Sequence, residues 1–134
     1  MIVVDPNVIC YRWMASAHSE AAERAWAKDS DWIAPLLWRS EFRNALAGAL
    51  RKRLITPEAA ISVAERAEGQ FAGREFLVSA RAVMGLAAAS RCSAYDCEFI
   101  ALAQEHQISL VTEDRDVLRE FSTLAVSLEQ FLRL

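Results

Sequence analysis

Four carboxylic acids stand where a small α/β protein could bring them together: Asp5, Glu41, Asp96 and Asp114. Asp5 directly follows the apolar run at 2–4, and Asp114 closely follows the apolar run at 108–112, so both are predicted just past the ends of buried strands. Asp96 lies in the predicted first turn of one helix, and Glu41 lies at the edge of the apolar stripe of another. Because side chains beyond the carboxyl ends of parallel strands share one crevice, we expect the four acids to meet there.

Converging carboxylates would favour a bound cation. Two carboxylates about 4 Å apart repel by roughly 4 kcal/mol at an effective dielectric constant near 20, so a cluster must take up protons or bind a cation. Oxygen ligands favour Mg2+ or Mn2+, and the chain has no Cys or His pair that would favour zinc. Such an ion suits phosphodiester hydrolysis. We assign Asp5 and Asp96 as principal metal ligands, Asp114 as a ligand directly or through water, and Glu41 as a water-orienting residue or base.

Each acid also has a purely structural interpretation. Asp5, followed by proline, fits a helix N-cap. Ser93 stands three residues before Asp96, which is the spacing of a capping box. Asp114 could begin the next helix, and Glu41 could be an ordinary solvated acid. All of these interpretations must hold at once to leave the chain without a site.

The elements that must position these acids alternate along the chain. Strands are predicted at 2–4, 32–34, 75–78, 108–112 and 124–126. Helices are predicted at 6–13, 19–28, 36–54, 57–69, 80–91 and 94–106. A short helix is predicted from just after Asp116 to about residue 121, and a last helix is predicted after Ser127. Alternating strands and helices indicate one α/β domain over residues 1–134, with a parallel sheet of about five strands and helices on both faces.

Composition limits the function further. The formal net charge of -3 argues against a surface that coats nucleic acid, so any such contact must be local. No apolar run approaches the roughly 20 residues of a membrane span, and the start of the chain has no secretory signal, so we expect a soluble cytoplasmic protein. The cysteines Cys10, Cys92 and Cys97 lack metal-ligand spacing and are expected to be reduced and buried.

Four sequence blocks together resemble the PIN-domain family, most closely the VapC-like toxins of toxin–antitoxin pairs. The blocks are residues 3–8 (VVDPNV), 40–46 (SEFRNAL), 93–96 (SAYD) with 101–103 (ALA), and 110–114 (LVTED). The resemblance implies a Mg2+- or Mn2+-dependent endoribonuclease that is neutralised by a cognate antitoxin and is often a homodimer. It also implies site roles for Asp5, Glu41, Asp96 and Asp114 as the acidic quartet, Asn7 and Thr112 as polar neighbours, and Asp116 as a possible fifth acid.

One position departs from the family pattern. The family usually has Thr or Ser after the first Asp, whereas Pro6 offers neither a hydroxyl nor a backbone donor. A second hypothesis is therefore a PIN-fold binding module with a weakened site, and a third is a housekeeping RNA-processing hydrolase without an antitoxin. Glu113 beside Asp114 leaves open which of the two acids points inward.

Other side chains could serve the substrate or a partner. Arginines near the acidic motifs could form a basic rim: Arg12, Arg39, Arg43, Arg91, Arg115 and Arg119. In helix 94–106, the helical spacing places Glu98, Gln104 and Glu105 away from the inner face, which is predicted to consist of Tyr95, Phe99, Leu102, Ala103 and His106. His106 is expected to pack rather than to bind metal. Tryptophans are expected in the core or at a dimer surface, with stacking on RNA bases as the alternative: Trp13, Trp26, Trp32 and Trp38. An antitoxin could place an Arg or Lys among the carboxylates, and the apolar face of helix 36–54 could be shared between antitoxin and dimer contacts.

Overall fold

Five parallel strands form the sheet that carries the site. The computed structural model describes every residue from Met1 to Leu134. The strands are β1 (Ile2–Val4), β2 (Trp32–Pro35), β3 (Glu75–Phe76), β4 (Leu110–Val111) and β5 (Ala125–Val126). They lie in the order β3-β2-β1-β4-β5, and every neighbouring pair is parallel.

Eight helices connect and cover these strands. They are α1 (Pro6–Trp13), α2 (Ser19–Lys28), α3 (Trp38–Arg51), α4 (Pro57–Gln70), α5 (Ala80–Ala89), α6 (Ala94–His106), α7 (Arg115–Glu120) and α8 (Leu128–Arg133). None of them is long and apolar enough to cross a membrane.

The strand order places a change of winding direction beside β1. The chain proceeds from β1 to β2 and β3 on one side, and then returns to add β4 and β5 on the other side. Val3 of β1 is therefore paired with Ile33 on one side and with Leu110 on the other. In open α/β sheets, ligands bind beyond the carboxyl ends of strands at such a switch point. Here that place lies just beyond β1 and β4.

The hydrophobic core extends over both faces of the sheet. Ile2, Val3 and Val4 are all buried, although successive residues of a strand point to opposite faces. A single cluster of 29 buried residues includes these three and residues from both halves of the chain. Helix α6 contacts β1, β2 and β4, so it is held against the centre of the sheet.

N-cap side chains mark the first turns of most helices. The side chains of Asp5, Thr56, Ser79, Ser93 and Ser127 each accept a hydrogen bond from a backbone N–H of the helix that follows. These are residue types that favour the N-cap because they satisfy N–H groups that lack helical partners. The predicted element order and the capping box at Ser127 are confirmed.

The predicted strands and two helix details were partly wrong. The third and fourth strands are two residues long, because hydrogen-bonded pairing covers only part of each predicted run. Helix α7 begins at Arg115, so Asp116 lies within its first turn and not before it. Tyr95 is predicted on the inner face of α6, but it is 63% exposed.

Candidate functional site

Asp5 is the most buried acid of the site. It follows β1 directly and is the N-cap of α1, where its Oδ1 accepts a hydrogen bond from the N–H of Asn7 at 2.8 Å. Its Oδ2 accepts a hydrogen bond from the hydroxyl of Thr112 at 2.9 Å. Burial raises the pKa of Asp5, these two hydrogen bonds lower it, and the charges of Asp96 and Asp114 raise it further.

Thr112 links the ends of the two strands at the switch point. It follows β4 and is fully buried, and its Oγ1 also accepts the N–H of Asp114 at 3.1 Å. Asp114 in turn is the N-cap of α7, with Oδ1 accepting the N–H of Val117 at 3.0 Å. The neighbouring Glu113 accepts instead from the backbone N–H of Leu128 at 2.8 Å, which ties it to the start of α8.

Asp96 lies in the first turn of α6. Its backbone N–H donates to the hydroxyl of Ser93 at 3.0 Å, so Ser93 is the N-cap of α6. The carboxylate is half-buried. Burial is the main cause that raises the pKa of Asp96, interactions with Ser93 lower it, and the charges of Asp114 and Asp116 raise it. Capping and a role in an acidic cluster therefore coexist here.

Glu41 completes the cluster from the side of α3. It is half-buried, which agrees with its predicted place at the edge of the apolar stripe. Burial, together with the charges of Asp5, Asp96 and Glu98, raises the pKa of Glu41 to about 7. A carboxyl group that titrates near neutral pH can hold or release a proton under physiological conditions.

The four acids share one electrostatic environment that no basic side chain neutralises. Each of Asp5, Glu41 and Asp96 has its pKa raised by the charge of at least one other member, and Asp114 acts on two of them. The eight ion pairs of the protein all use other acids. Negative charge without a counterion is the condition that favours a bound cation.

The metal geometry itself is not preassembled. No group of three His, Cys, Asp or Glu side chains is arranged so that it could hold a metal ion. The available donors are carboxylate, hydroxyl and amide oxygens, which suit Mg2+ or Mn2+. The residues therefore fit such an ion in chemical type and charge, whereas coordination would need water ligands or side-chain rotation.

Glu98 is an acid that the sequence reasoning missed. The spacing predicts Glu98 away from the inner face of α6, but the residue is half-buried, burial raises its pKa, and its charge raises the pKa of Glu41. Its position two residues after Asp96 was the available signal. The helical spacing gave no reason to place it near Glu41, because the distance between residues of two different helices is set by the whole fold.

The predicted basic rim is largely occupied elsewhere. Arg39 binds Glu75 through two hydrogen bonds of 2.6 Å, and Arg43 binds Glu68. Arg119 pairs with Asp116 at 2.6 Å. Arg12 lies over the rings of Trp13 and Trp26, and its Nε is 3.7 Å from Glu23. Arg91 and Arg115 remain without an ion pair.

The remaining predicted side chains are structural. His106 packs against the ring of Phe76 at a centroid distance of 4.9 Å, as expected of a packed histidine. Trp32 and Trp38 are buried in the core. The three cysteines are free and buried, which confirms the prediction.

Comparisons with known proteins agree on the fold. The model of the PIN domain family matches residues 2–124. A chain from the crystal structure of FitAcB from Neisseria gonorrhoeae superposes with a TM-score of 0.70 at 21% sequence identity, over 96% of this chain and 99% of that one. No curated protein sequence matches this chain.

Proposed function

This chain belongs to the PIN domain family, whose members are generally nucleases, and from that premise we propose that it is a Mg2+- or Mn2+-dependent endoribonuclease. We propose further that it acts as the toxin of a toxin–antitoxin pair in the cytoplasm. The observation that carries the proposal is the group of carboxylates Asp5, Glu41, Asp96 and Asp114, which influence one another electrostatically and have no basic partner.

The proposed roles follow from the surroundings of each side chain. Asp5 and Asp96 would hold the ion as principal ligands, and Asp114 would hold it directly or through water. When bound, the ion would polarise a phosphoryl oxygen of the substrate and lower the pKa of a water molecule. Thr112 fixes the Asp5 carboxylate through its hydrogen bond. Glu41, whose pKa is about 7, is suited to orient the attacking water and to accept its proton.

Pro6 does not leave Asp5 without a hydroxyl partner. The hydroxyl that the family usually carries next to the first Asp is absent here, but Thr112 supplies a hydroxyl from β4. Pro6 itself occupies the first position of α1, where its missing N–H has no helical partner to lose.

Cleavage of RNA tests the proposal. The wild-type protein should cut a mixed pool of single-stranded and structured RNA in Mg2+ or Mn2+, and EDTA should stop the reaction. Asp96→Asn should abolish cleavage while the circular dichroism spectrum stays unchanged. Glu105→Gln, a neutralised and exposed acid at the other end of α6, is the matched control and should cut normally. Undiminished cleavage by Asp96→Asn would contradict the assignment.

The proposed protein partners follow from the same charge imbalance. An antitoxin that places an Arg or Lys among the carboxylates would neutralise them and exclude the cation. A homodimer would cover apolar surface on α3 and the helix that follows. Growth arrest on expression, relieved by the product of a neighbouring gene, tests the toxin role. A mass in solution that stays monomeric at all concentrations would contradict the dimer.

A second candidate is a PIN-fold binding module without nuclease activity. The observation that favours it is the absence of three side chains arranged to hold a metal ion. This candidate predicts no saturable heat of binding when Mn2+ is titrated into the protein. The nuclease predicts saturable binding that Asp96→Asn weakens.

A further inference from the structure

A cavity of about 470 Å³ lies beside the acidic cluster. This volume is within the range of roughly 300–1,000 Å³ that is typical of small-molecule sites. Pro6, Cys10 and Ala45 line its apolar part, and Glu41 belongs to its wall. The cavity is therefore directly connected to the proposed catalytic centre.

The same helices that carry the acids also form this cavity. Pro6 is the first residue of α1 and directly follows Asp5, and Tyr95 directly precedes Asp96 in α6. Glu41 and Asn44 lie three residues apart on α3, a spacing that puts both side chains on one face. A molecule that occupied the cavity would consequently lie next to any phosphodiester bond held by the carboxylates.

The cavity presents polar groups whose hydrogen-bonding capacity is free. The side chains of Asn7, Ser40 and Asn44 line it, and all three residues are exposed. None of these side chains forms a hydrogen bond within the protein, in contrast to the backbone N–H of Asn7, which binds Asp5. Side-chain amides offer both donors and acceptors, which is the pattern needed to bind the edge of a nucleobase.

Tyr95 adds an aromatic surface to the wall of the cavity. Its side chain is 63% exposed although it is large and partly apolar. Exposed aromatic rings beside a nucleic-acid path are typical stacking platforms for unpaired bases. The apolar part of the cavity likewise suits a flat aromatic ligand.

The charges of the lining indicate a base and not a phosphate. The cavity is lined by nine residues, none of which is Lys or Arg, and one of which is the acid Glu41. Phosphate binding relies on Lys, Arg or other donors in an electropositive setting. A nucleobase is uncharged, so its binding does not require Lys or Arg in the lining.

We propose that this cavity binds one unpaired base of the RNA substrate adjacent to the cleaved bond. Tyr95 stacks on that base, and Asn44, with Asn7 and Ser40, contacts its edge. This inference rests on the proposed ribonuclease function and identifies the part of the site that would select the cleavage position. Stacking supplies affinity for every base, whereas the amides discriminate among bases.

Binding measurements test the stacking. In the Asp96→Asn background, fluorescein-labelled single-stranded RNA hexamers are titrated by fluorescence anisotropy in Mg2+. Tyr95→Ala should raise the Kd by about 5- to 150-fold, the range expected for one base–aromatic stack. Tyr95→Phe keeps the ring and should preserve affinity. Met84→Ala, which removes an exposed apolar side chain on α5, should also leave affinity unchanged. An equal Kd for Tyr95→Ala and Met84→Ala would overturn the proposal.

Hexamers with a single abasic position identify the bound base. At one position, removal of the base should raise the Kd for the protein that retains Tyr95. The same removal should change the Kd for Tyr95→Ala little, because that variant has already lost the stack. Asn44→Ala should reduce discrimination among the four bases at that position, whereas Gln104→Ala, which removes an exposed amide on α6, should not. If removal of a base raised the Kd equally with and without Tyr95 at every position, stacking by Tyr95 would be excluded.

Cleavage by proteins with Asp96 intact separates the two proposals. If Tyr95→Ala cuts RNA with unchanged KM and unchanged sequence preference, the subsite is wrong and the nuclease function stands. If the wild type cuts no RNA in Mg2+ or Mn2+, but the rise in Kd on removal of a base depends on Tyr95, the nuclease function is wrong and the base-binding cavity stands.

Discussion

The hydroxyl of Thr112 donates a hydrogen bond of 2.9 Å to Oδ2 of Asp5. The two residues are 107 positions apart in the chain, and each directly follows one of the neighbouring strands β1 and β4. The same hydroxyl accepts the N–H of Asp114 at 3.1 Å. A single buried side chain thus connects two of the proposed metal ligands at the switch point of the sheet.

Replacing Thr112 tests this connection. Thr112→Val keeps the shape of the side chain but removes the hydroxyl, so the buried Asp5 carboxylate loses a donor and the Asp114 N–H loses its acceptor. We expect a loss of about 1–3 kcal/mol in the free energy of unfolding, measured by urea denaturation at pH 7. Thr123→Val, at an exposed position, should change stability little. Equal stability of the two variants would mean that the hydroxyl contributes nothing to the fold.

Two substitutions at Asp114 separate its capping role from its proposed role in the site. Asparagine is also a good N-cap, so Asp114→Asn should retain the hydrogen bond to the Val117 N–H and the wild-type stability. Asp114→Ala should lose about 1 kcal/mol of stability because this bond disappears. Both variants should lose RNA cleavage. Cleavage that survives in Asp114→Asn and falls only in Asp114→Ala would assign this residue a structural role alone.

The raised pKa of Glu41 predicts a pH-dependent stability of the metal-free protein. Its pKa is about 7 in the folded protein against 4.5 as the ordinary value. The folded state therefore binds the proton more tightly, and stability falls as the pH rises from about 4.5 through 7. In EDTA, Glu41→Gln should raise Tm relative to wild type at pH 8 and change it little at pH 5. A Tm difference that is the same at both pH values would show that Glu41 has no raised pKa.

Metal binding should stabilise the folded protein. An ion that binds only the folded state adds about 2.7 kcal/mol when its concentration is 100 times Kd. Mn2+ should accordingly raise the Tm of the wild type and of Glu105→Gln, and it should raise the Tm of Asp96→Asn much less. An equal rise in all three proteins would place the ion away from Asp96.

Local sequence signals predicted the elements well. Proline after Asp5 and after Thr56, and serine at positions 79, 93 and 127, mark helix starts through interactions that span only a few residues. The approach of Asp5 to the segment after β4 was also foreseeable, since both follow buried apolar runs. The order of the strands in the sheet could not be predicted from local signals, because it depends on contacts between distant parts of the chain.

Periodicity failed on α6 for a physical reason. This helix is buried on several sides, with Cys97, Ile100 and Ala101 inside as well as the predicted Phe99 and Leu102. A helix that is apolar on most of its circumference has no single inner face that spacing alone could define. The exposure of Tyr95 and the inward approach of Glu98 followed from that packing, and so these two residues were missed.

Diffraction from crystals soaked in MnCl2 tests whether the carboxylates form a metal site, because anomalous scattering locates manganese independently of any assumption about the site. We expect one or two anomalous peaks among Asp5, Asp96 and Asp114, with at least one carboxylate oxygen within roughly 2.0–2.6 Å of a peak. The peaks should be absent from crystals of Asp96→Asn. Manganese bound only elsewhere on the protein, or no bound manganese at all, would contradict the proposed metal site.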